Sequence, residues 1–183
     1  SPTLSHSEHE EVVAAVVKQV SGRVPVIAGA GSNNTDEAIR FTRHAAEVGA
    51  DAALVVVPYY NKPNQEMMYR HFKAVHDSAD IPIVLYNVPG RTACDMLNET
   101  VLRLADIPNI VGIKDATGNL PRGAELIEAL DGRLAVYSGD DATAAELMLA
   151  GAKGNVSVTP NVSPKSMPLV CESAVASHRV DTV

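Results

Sequence analysis

Lys114 is the residue of this chain whose type and position most directly suggest chemistry. It follows the apolar run Ile110–Ile113 within the segment Gly112–Gly118, so apolar side chains are expected around its amine. Scarce water disfavours the ammonium form, which lowers the pKa and makes a neutral, nucleophilic amine accessible. Such a lysine can form a Schiff base with a carbonyl substrate. The alternative is a strand-end lysine whose amine lies in solvent or pairs with Asp115, and Lys114 taken alone fits that alternative better.

Tyr86 and Arg91 lie together upstream of Lys114, at the end of an earlier apolar run. Tyr86 ends the run, where a phenol can relay protons, and Arg91 lies on the following loop, where a guanidinium can bind a carboxylate through two hydrogen bonds. Each residue has a simpler alternative, a packing tyrosine and a surface arginine. Combined with Lys114 on the next predicted strand, the two residues indicate a site for a keto acid.

Six short apolar runs, each followed by a loop and a helical pattern, must position these side chains. The runs lack strict polar alternation, as expected of parallel strands that are buried on both faces. Strands that alternate with helices predict a parallel sheet. The predicted strands are Val24–Ala28, Ala53–Val57, Ile81–Tyr86, Ile110–Ile113, Leu134–Tyr137 and Gly154–Val158.

Several helices carry a predicted start signal. Ser7 and Glu10 are spaced as a capping box before the first helix. Thr35, Asn64 and Asp141 are predicted N-caps of later helices, because their side chains can accept hydrogen bonds from the first backbone N–H groups.

The loops after the six runs distinguish two parallel architectures. Every loop carries polar or reactive residues, for example Pro58–Asn61, Asn87–Arg91 and Ser138–Asp141. An open doubly wound sheet concentrates its site at one switch point, whereas a (β/α)8 barrel draws on all its strand ends. The pattern therefore predicts an α/β fold of the (β/α)8 TIM barrel type with about six of the eight βα units. Because such barrels need about 250 residues, we expect residues 1–183 to form a partial catalytic barrel with two strands missing.

Composition excludes several classes of protein. The 183 residues are 46% hydrophobic, enough for one domain with a sizeable core. A net charge of −7, a pI of about 5.3 and the lack of a basic stripe argue against a nucleic-acid partner. Charged or polar residues interrupt every apolar run, so no membrane span is predicted. The two cysteines, Cys94 and Cys171, form no disulfide framework, which predicts a cytoplasmic protein.

The segments around Tyr86 and Lys114 resemble the signature motifs of a known family. Tyr86–Thr92 and Gly112–Gly118 are similar to the two signature motifs of the dihydrodipicolinate synthase / N-acetylneuraminate lyase family of class I aldolases. The similarity runs from about Ser1 to Ser173 and continues through Val57–Asn61, Ser138–Asp141 and Ser157–Asn161. As a set these motifs are specific.

The resemblance implies three catalytic residues. Lys114 corresponds to the lysine that condenses with pyruvate. Tyr86 corresponds to the phenol that shuttles protons during imine formation and cyclisation. Tyr60 corresponds to the tyrosine that reaches across a tight dimer interface and completes the relay in the neighbouring subunit.

The resemblance also implies the binding residues and the assembly. Arg91 corresponds to the arginine at the site entrance that receives the carboxylate of aspartate semialdehyde, and Gly139 and Val156 correspond to backbone positions that line the pyruvate pocket. The imine itself is the electron sink, so neither a metal nor an organic cofactor is implied. Members of the family are usually homotetramers, built as a dimer of dimers.

Two alternatives to the synthase remain within this resemblance. Sialate and sugar-acid lyases keep the lysine and the first tyrosine but generally lack the Gly-Arg-Thr sequence after the proline, so Arg91 favours the synthase. The family also carries a Gly-Thr-Thr-Gly-Glu loop just before the segment that matches Ser1, and its threonine belongs to the proton relay. The resemblance also implies that residues 1–183 lack the first two strands and the C-terminal helical region of the barrel. Since the threonine loop is outside these residues, a catalytically incomplete fragment is the second alternative.

A second binding site is implied near the start of the chain. Feedback-regulated members of the family bind L-lysine as an inhibitor at the dimer interface. Glu37 can pair with an ammonium group, and Asn33 and Tyr59 can bond a carboxylate; the alternative is a polar helix face plus a loop. The residues that match the lysine pocket are Ser1, Pro2, His6, His9, Asn33, Glu37 and Tyr59.

Two further motifs indicate other chemistry more weakly. Val26–Gly31 is a strand that enters a glycine turn, and Asp51 lies at about the distance found in dinucleotide-binding units, but Asn34 stands where the third glycine belongs. His6 and His9 are three residues apart, whereas the usual zinc helix pattern places its histidines four apart. We therefore expect neither a nicotinamide cofactor nor a metal.

Overall fold

A parallel sheet of six strands forms the centre of the molecule. The computed structural model describes the backbone of residues 3–181 and the side chains of residues 3–178. The strands lie in chain order and each pairs in parallel with the next. They are β1 (Ile27–Gly29), β2 (Ala52–Val56), β3 (Ile83–Asn87), β4 (Ile110–Asp115), β5 (Ala135–Ser138) and β6 (Gly154–Asn155).

Helices follow every strand, and one helix precedes the first. In the described part of the chain they are α1 (His6–Val20), α2 (Thr35–Glu47), α3 (Gln65–His76), α4 (Pro89–Thr92), α5 (Asn98–Leu104), α6 (Leu120–Leu130), α7 (Ala144–Leu149) and α8 (Ser166–Asp181). Sequential strand order leaves no point at which the order reverses, which a doubly wound sheet requires. The predicted fold class, a (β/α)8 barrel with about six units present, is confirmed.

Local side chains set the first residues of the helices, and some of these capping residues differ from the predicted ones. The capping box of α1 is formed by Ser5 and Glu8, two residues earlier than predicted, because Ser5 has the extended backbone that an N-cap needs. Its amide donates to Glu8 Oε2 at 2.8 Å. Helix α2 is capped by Asn34 rather than Thr35, whose hydroxyl instead bonds to a histidine of α3 at 2.9 Å. The predicted cap of α3, Asn64, is confirmed.

The two faces of the sheet differ in their cover. Val55, Ile83 and Leu85 point to the outer face, where helices pack against the sheet, and all three are fully buried. Their neighbours along the strands, such as Leu54 and Tyr86, point to the inner face and stay partly exposed, because successive strand residues alternate between faces. Burying one large apolar side chain stabilises the fold by about 1.5–3 kcal/mol. The outer face therefore supplies most of the core, and the inner face is left for a site.

Candidate active site

Strand pairing places Lys114 between two tyrosines. The parallel register pairs Tyr86 of β3 with Lys114 of β4, and Lys114 with Tyr137 of β5. Paired residues of neighbouring parallel strands project from the same face, so all three side chains lie on the inner face. Lys114 Nζ lies 4.2 Å from the centroid of the Tyr86 ring. Two of the predicted catalytic residues are thus brought together by the backbone frame of the sheet.

The surroundings of Lys114 make the neutral form of its amine more accessible than in water. Burial lowers the pKa of Lys114, the positive charge of Arg91 lowers it further, and the carboxylate of Asp141 acts in the opposite direction. The predicted lowering of this pKa is confirmed. Burial also raises the pKa of Tyr86, although Arg91 opposes that shift, so the phenol keeps its proton in neutral solution. The Lys114 amine, whose neutral form burial makes more accessible, therefore lies beside the ring of a protonated phenol.

Asp115 does not serve as the partner of Lys114. It is the next residue of β4 and therefore points to the outer face, where only 6% of it is exposed. Its carboxylate accepts a hydrogen bond of 2.8 Å from the hydroxyl of Thr117, and burial raises its pKa. The alternative of a Lys114–Asp115 pair is wrong, because the strand separates the two side chains.

Gly139 makes room for the Lys114 side chain. A Cβ atom at this position would lie 2.8 Å from Cε and 3.1 Å from Cγ of Lys114. The Gly139 amide donates to the Asp115 carbonyl at 2.8 Å, and the Val156 amide donates to the Ser138 carbonyl, also at 2.8 Å. Both residues predicted to line a pyruvate pocket therefore lie directly after the carboxyl ends of β5 and β6, and Gly139 lies beside the Lys114 side chain.

Arg91 lies exposed on α4, and a polar network anchors the segment after it. The side-chain amide of Asn87 donates to Asp95 Oδ1 at 2.8 Å, and Arg122 of α6 donates to Asp95 Oδ2 at 2.6 Å. The thiol of Cys94 donates to the Pro63 carbonyl at 3.3 Å, and burial raises its pKa, which fits a structural thiol. Sequence reasoning missed this network, because its members are scattered over several elements and form no motif.

Asp141 has a different role from the predicted one. Helix α7 begins at Ala144 with Thr143 as its N-cap, so Asp141 does not cap it. Its carboxylate instead accepts hydrogen bonds from three side chains of β6 and the loop after it, Asn155, Ser157 and Thr159. These three hydrogen bonds hold the Asp141 carboxylate in place of helix N–H groups, and they lower its pKa.

A cavity of about 720 Å³ opens on the inner face beside β2 and β3. Tyr86 and Arg91 are among its polar lining residues, and Val12 and Val13 of α1 and Leu54 of β2 line an apolar side. Among the described residues, Lys114 does not line it, so the cavity adjoins the Lys114 cluster only through Tyr86 and Arg91.

Comparison with known proteins decides the family. The sequence model described as "Dihydrodipicolinate synthetase family" matches residues 1–180. The chain belongs to this family. A 4-hydroxy-tetrahydrodipicolinate synthase of Marinobacter nauticus is 68% identical over 183 residues, which are 100% of this chain and 63% of that relative. One of Herminiimonas arsenicoxydans is 55% identical over 183 residues, with the same coverage of 100% and 63%. The chain thus spans less than two thirds of the length of these curated relatives.

Solved structures of family members superpose closely on the chain. The dihydrodipicolinate synthase of Acinetobacter baumannii, complexed with pyruvate, has a TM-score of 0.95 and 57% identity over 96% of this chain and 60% of that chain. The enzyme of Cyanidioschyzon merolae with lysine bound has a TM-score of 0.88 and 42% identity over 97% of this chain and 63% of that chain. The family resemblance inferred from the motifs is confirmed.

Four of the residues that match the family's lysine pocket share the 720 Å³ cavity: His6, His9, Glu37 and Tyr59. The Glu37 carboxylate pairs with His6 Nε2 and accepts from the Ser32 hydroxyl. The His9 ring stacks on Phe41 with centroids 4.3 Å apart. Asn33 lies on the neighbouring loop, where its carbonyl accepts a bond of 3.0 Å from Asn61. Ser1 and Pro2 lie outside the described residues.

Tyr60 is far less enclosed than the other predicted catalytic residues. Its side chain is 89% exposed on the loop after β2, and its φ of +72° lies in the left-handed region that non-glycine residues seldom adopt. Among the described residues, no contact is seen between Tyr60 and the pair of Lys114 and Tyr86.

The weaker sequence motifs have structural explanations. A Cβ atom at Gly31 would collide with the backbone nitrogen of Val56, so the glycine turn permits a close approach to β2. Among residues 3–181, no group of three or more His, Cys, Asp or Glu side chains is placed to hold a metal ion. In the same part of the chain, every helix is too short or too polar to cross a membrane.

Proposed function

We propose that this chain carries the imine-forming site of a 4-hydroxy-tetrahydrodipicolinate synthase. This lyase condenses pyruvate with L-aspartate 4-semialdehyde, on the route to diaminopimelate and lysine. The observation that carries the proposal is the Lys114 amine, which lies 4.2 Å from the Tyr86 ring centroid with its pKa lowered by burial. The name of the two curated relatives and the pyruvate complex of the Acinetobacter enzyme support it.

The proposed reaction begins with imine formation. The neutral Lys114 amine attacks the ketone carbon of pyruvate, and the carbinolamine loses water to give a protonated imine. The imine withdraws electrons, so the methyl group loses a proton and an enamine forms. Tyr86 carries protons to and from these atoms, since its phenol is protonated and lies over the amine. Gly139 and Val156 line the pyruvate pocket.

Condensation and release complete the proposed reaction. The enamine carbon attacks the aldehyde of aspartate semialdehyde, whose oxygen takes up a proton. The amino group of the bound product then attacks the imine carbon, which closes the ring and frees the Lys114 amine. The imine accepts and returns the electron pair, so the proposed chemistry calls on no cofactor. Arg91 binds the carboxylate of aspartate semialdehyde at the cavity entrance.

Assembly and regulation are also part of the proposal. We propose a homotetramer, a dimer of dimers, in which Tyr60 reaches the site of a second copy of the chain. The 89% exposure of Tyr60 and its left-handed backbone support this role. We also propose that L-lysine binds at the dimer interface as an inhibitor, through Ser1, Pro2, His6, His9, Asn33, Glu37 and Tyr59. The lysine-bound Cyanidioschyzon structure supports this site.

We also propose how the site is enclosed and where the protein is located. Residues 1–183 would form part of a catalytic barrel, and further βα units like those of the longer relatives would cover the apolar side of the cavity at Val12, Val13 and Leu54. A threonine of the relay would come from those units. Both cysteines are free, which supports a reducing, cytoplasmic location.

Exchange of Arg91 tests the substrate assignment. Arg91→Ala should weaken use of aspartate semialdehyde about 10- to 100-fold, because a charged hydrogen-bonding partner is lost, while imine formation with pyruvate is retained. Arg91→Lys should use aspartate semialdehyde less well than the unmodified chain but better than Arg91→Ala. Lysine keeps the positive charge but cannot form the two parallel hydrogen bonds of a guanidinium. Equal loss of imine formation and aldehyde use would contradict the role of Arg91. If the chain prefers a sugar aldehyde to aspartate semialdehyde, the proposed function changes from synthase to sugar-acid lyase.

A further inference from the structure

Asp141 gathers three side chains onto one carboxylate. Its Oδ1 accepts from the Asn155 amide at 2.8 Å, and its Oδ2 accepts from the hydroxyls of Ser157 at 2.8 Å and Thr159 at 2.6 Å. The Ser157 oxygen in turn accepts from the Thr159 backbone amide at 2.9 Å. The loop after β5 is therefore fastened to β6 and to the loop beyond it.

Backbone pairing alone holds these two loops weakly. The register of β5 and β6 has two residue pairs, Tyr137 with Gly154 and Ser138 with Asn155. The Val156 amide adds one hydrogen bond to the Ser138 carbonyl. So short a pairing leaves the position of the β6 loop to its side-chain contacts.

The Asn155 amide shows how strongly this contact decides local structure. Its Nδ2 faces Asp141, while its buried Oδ1 has no hydrogen-bond partner within the described residues. A buried unsatisfied acceptor is unfavourable. A rotated amide would set an oxygen against the Asp141 carboxylate, so the carboxylate fixes the orientation.

We infer that Asp141 is a positioning residue, which fastens the β6 loop to the β5 loop and thereby sets Gly139 and Val156 around Lys114. The inference rests on the proposed function, since those two residues line the proposed pyruvate pocket. Gly139 lies two residues before Asp141, and Val156 lies between two of its donors, Asn155 and Ser157.

The charge of Asp141 acts on the same site. It raises the pKa of Lys114 against the effects of burial and of Arg91, and Lys114 in turn lowers the pKa of Asp141. Asp141 therefore limits how far the amine is depressed. Because Asp141 is exposed, salt should weaken this effect.

Asp140 offers a matched control. It carries the same charge one residue earlier, but its carboxylate accepts from Thr143 at 2.8 Å, within its own loop. The charges that shift the pKa of Lys114 are those of Arg91 and Asp141. Asp140→Asn removes one negative charge and leaves the connection between the two loops intact.

Three variants separate position from charge: Asp141→Asn, the double variant Ser157→Ala with Thr159→Val, and Asp140→Asn. The pKa of Lys114 is measured without substrate, by acylating the amine with acetic anhydride across pH and quantifying the Lys114 peptide by mass spectrometry. Asp141→Asn should lower this pKa, because the charge that raises it is removed. The double variant and Asp140→Asn should leave it at the value of the unmodified chain, since both keep Asp141.

The position of the loop is measured by hydrogen exchange at Val156 and by the pyruvate concentration that half-saturates borohydride trapping. Asp141→Asn and the double variant should each speed exchange and raise that concentration by about tenfold, the effect of losing one or two hydrogen bonds. Asp140→Asn should change neither by more than about twofold.

The inference is overturned if Asp141→Asn behaves like Asp140→Asn in both the Lys114 pKa and the Val156 exchange. It is also overturned if the double variant speeds exchange at Val156 but leaves the half-saturating pyruvate concentration unchanged. The hydrogen bonds to Asp141 would then hold the loop without affecting pyruvate binding. If the unmodified chain traps no pyruvate, the proposed function fails, and with it the assignment of Gly139 and Val156 to a pyruvate pocket. The acylation and exchange measurements still report in that case whether Asp141 sets the loop and the amine.

Discussion

The two faces of the six-stranded sheet are built from alternate residues of the same strands, yet they have different roles. On the outer face, Ile83 and Leu85 are fully buried under helices. On the inner face, Tyr86 and Lys114 are only partly buried, and Tyr86 lines the cavity. The outer face stabilises the fold, and the stability it supplies allows an ionisable group to be held half-desolvated on the inner face. A slip of one residue in strand register would exchange the two roles.

The two buried ionisable residues of β4 illustrate the difference. On the inner face, burial lowers the pKa of Lys114, which makes the neutral amine of the proposed nucleophile more accessible. On the outer face, burial raises the pKa of Asp115, and the carboxylate is satisfied locally by Thr117. Desolvation acts on both side chains, but Lys114 stays partly exposed on the inner face, whereas Asp115 is buried on the outer face.

The largest expected effect is on stability, and it contrasts one change on the two faces. Leu85→Ala on the outer face should reduce the free energy of unfolding by about 2–5 kcal/mol, since a fully buried side chain leaves a cavity. Leu54→Ala on the inner face should cost about 1 kcal/mol, because Leu54 already borders open space. Urea unfolding followed by circular dichroism measures both. Equal losses would show that the two faces do not differ in their contribution to stability.

Gly139→Ala should damage the site without damaging the outer core. The added Cβ would lie 2.8 Å from Lys114 Cε and would displace the amine. We expect pyruvate imine formation to slow by about 100-fold, a typical result of misplacing a reacting group. Gly29→Ala is the control, since a Cβ there meets no atom within 4 Å. Normal trapping rates in Gly139→Ala would refute the steric role.

Tyr86→Phe should separate the phenol from the ring. The ring stays beside Lys114, but the proton relay is lost, so imine formation should slow by about 10- to 100-fold. Tyr137→Phe, on the other side of Lys114, should change the rate much less. Both rates are measured by adding borohydride at successive times after pyruvate and quantifying the reduced adduct. Equal slowing of the two variants would contradict a special role of Tyr86.

The smallest effect is a pH dependence that arises on the helix side of the sheet. His71 of α3 is 5% exposed, and burial lowers its pKa from 6.5 to about 4. Because the folded pKa lies below the unfolded one, this stabilisation is complete above pH 6.5 and is lost as pH falls towards 4. Between pH 7 and 5.5 the loss should be about 1 kcal/mol. His71→Gln should remove that slope in urea unfolding; an unchanged slope would mean that His71 is not its source.

Period and spacing in the sequence were enough to predict the parallel strands and their alternation with helices. The ends of two strands were predicted only approximately, since β3 continues to Asn87 rather than Tyr86 and β4 to Asp115 rather than Ile113. The length of β6 was not predicted, since this strand ends at Asn155 rather than Val158. Ser157 turns there to bond Asp141, and Asp141 lies 14 to 18 residues from its donors. Contacts of that range depend on how units stack, which no local pattern encodes.

The most direct test of the inner-face site is to identify the atom that captures pyruvate. The chain is incubated with pyruvate, reduced with borohydride, digested and mapped by mass spectrometry, with Lys114→Arg treated in parallel. An imine-forming Lys114 predicts one reduced pyruvate adduct on the Lys114 peptide, dependent on pyruvate and absent from Lys114→Arg. No adduct, or an adduct spread over exposed lysines such as Lys18 and retained in the variant, would contradict it.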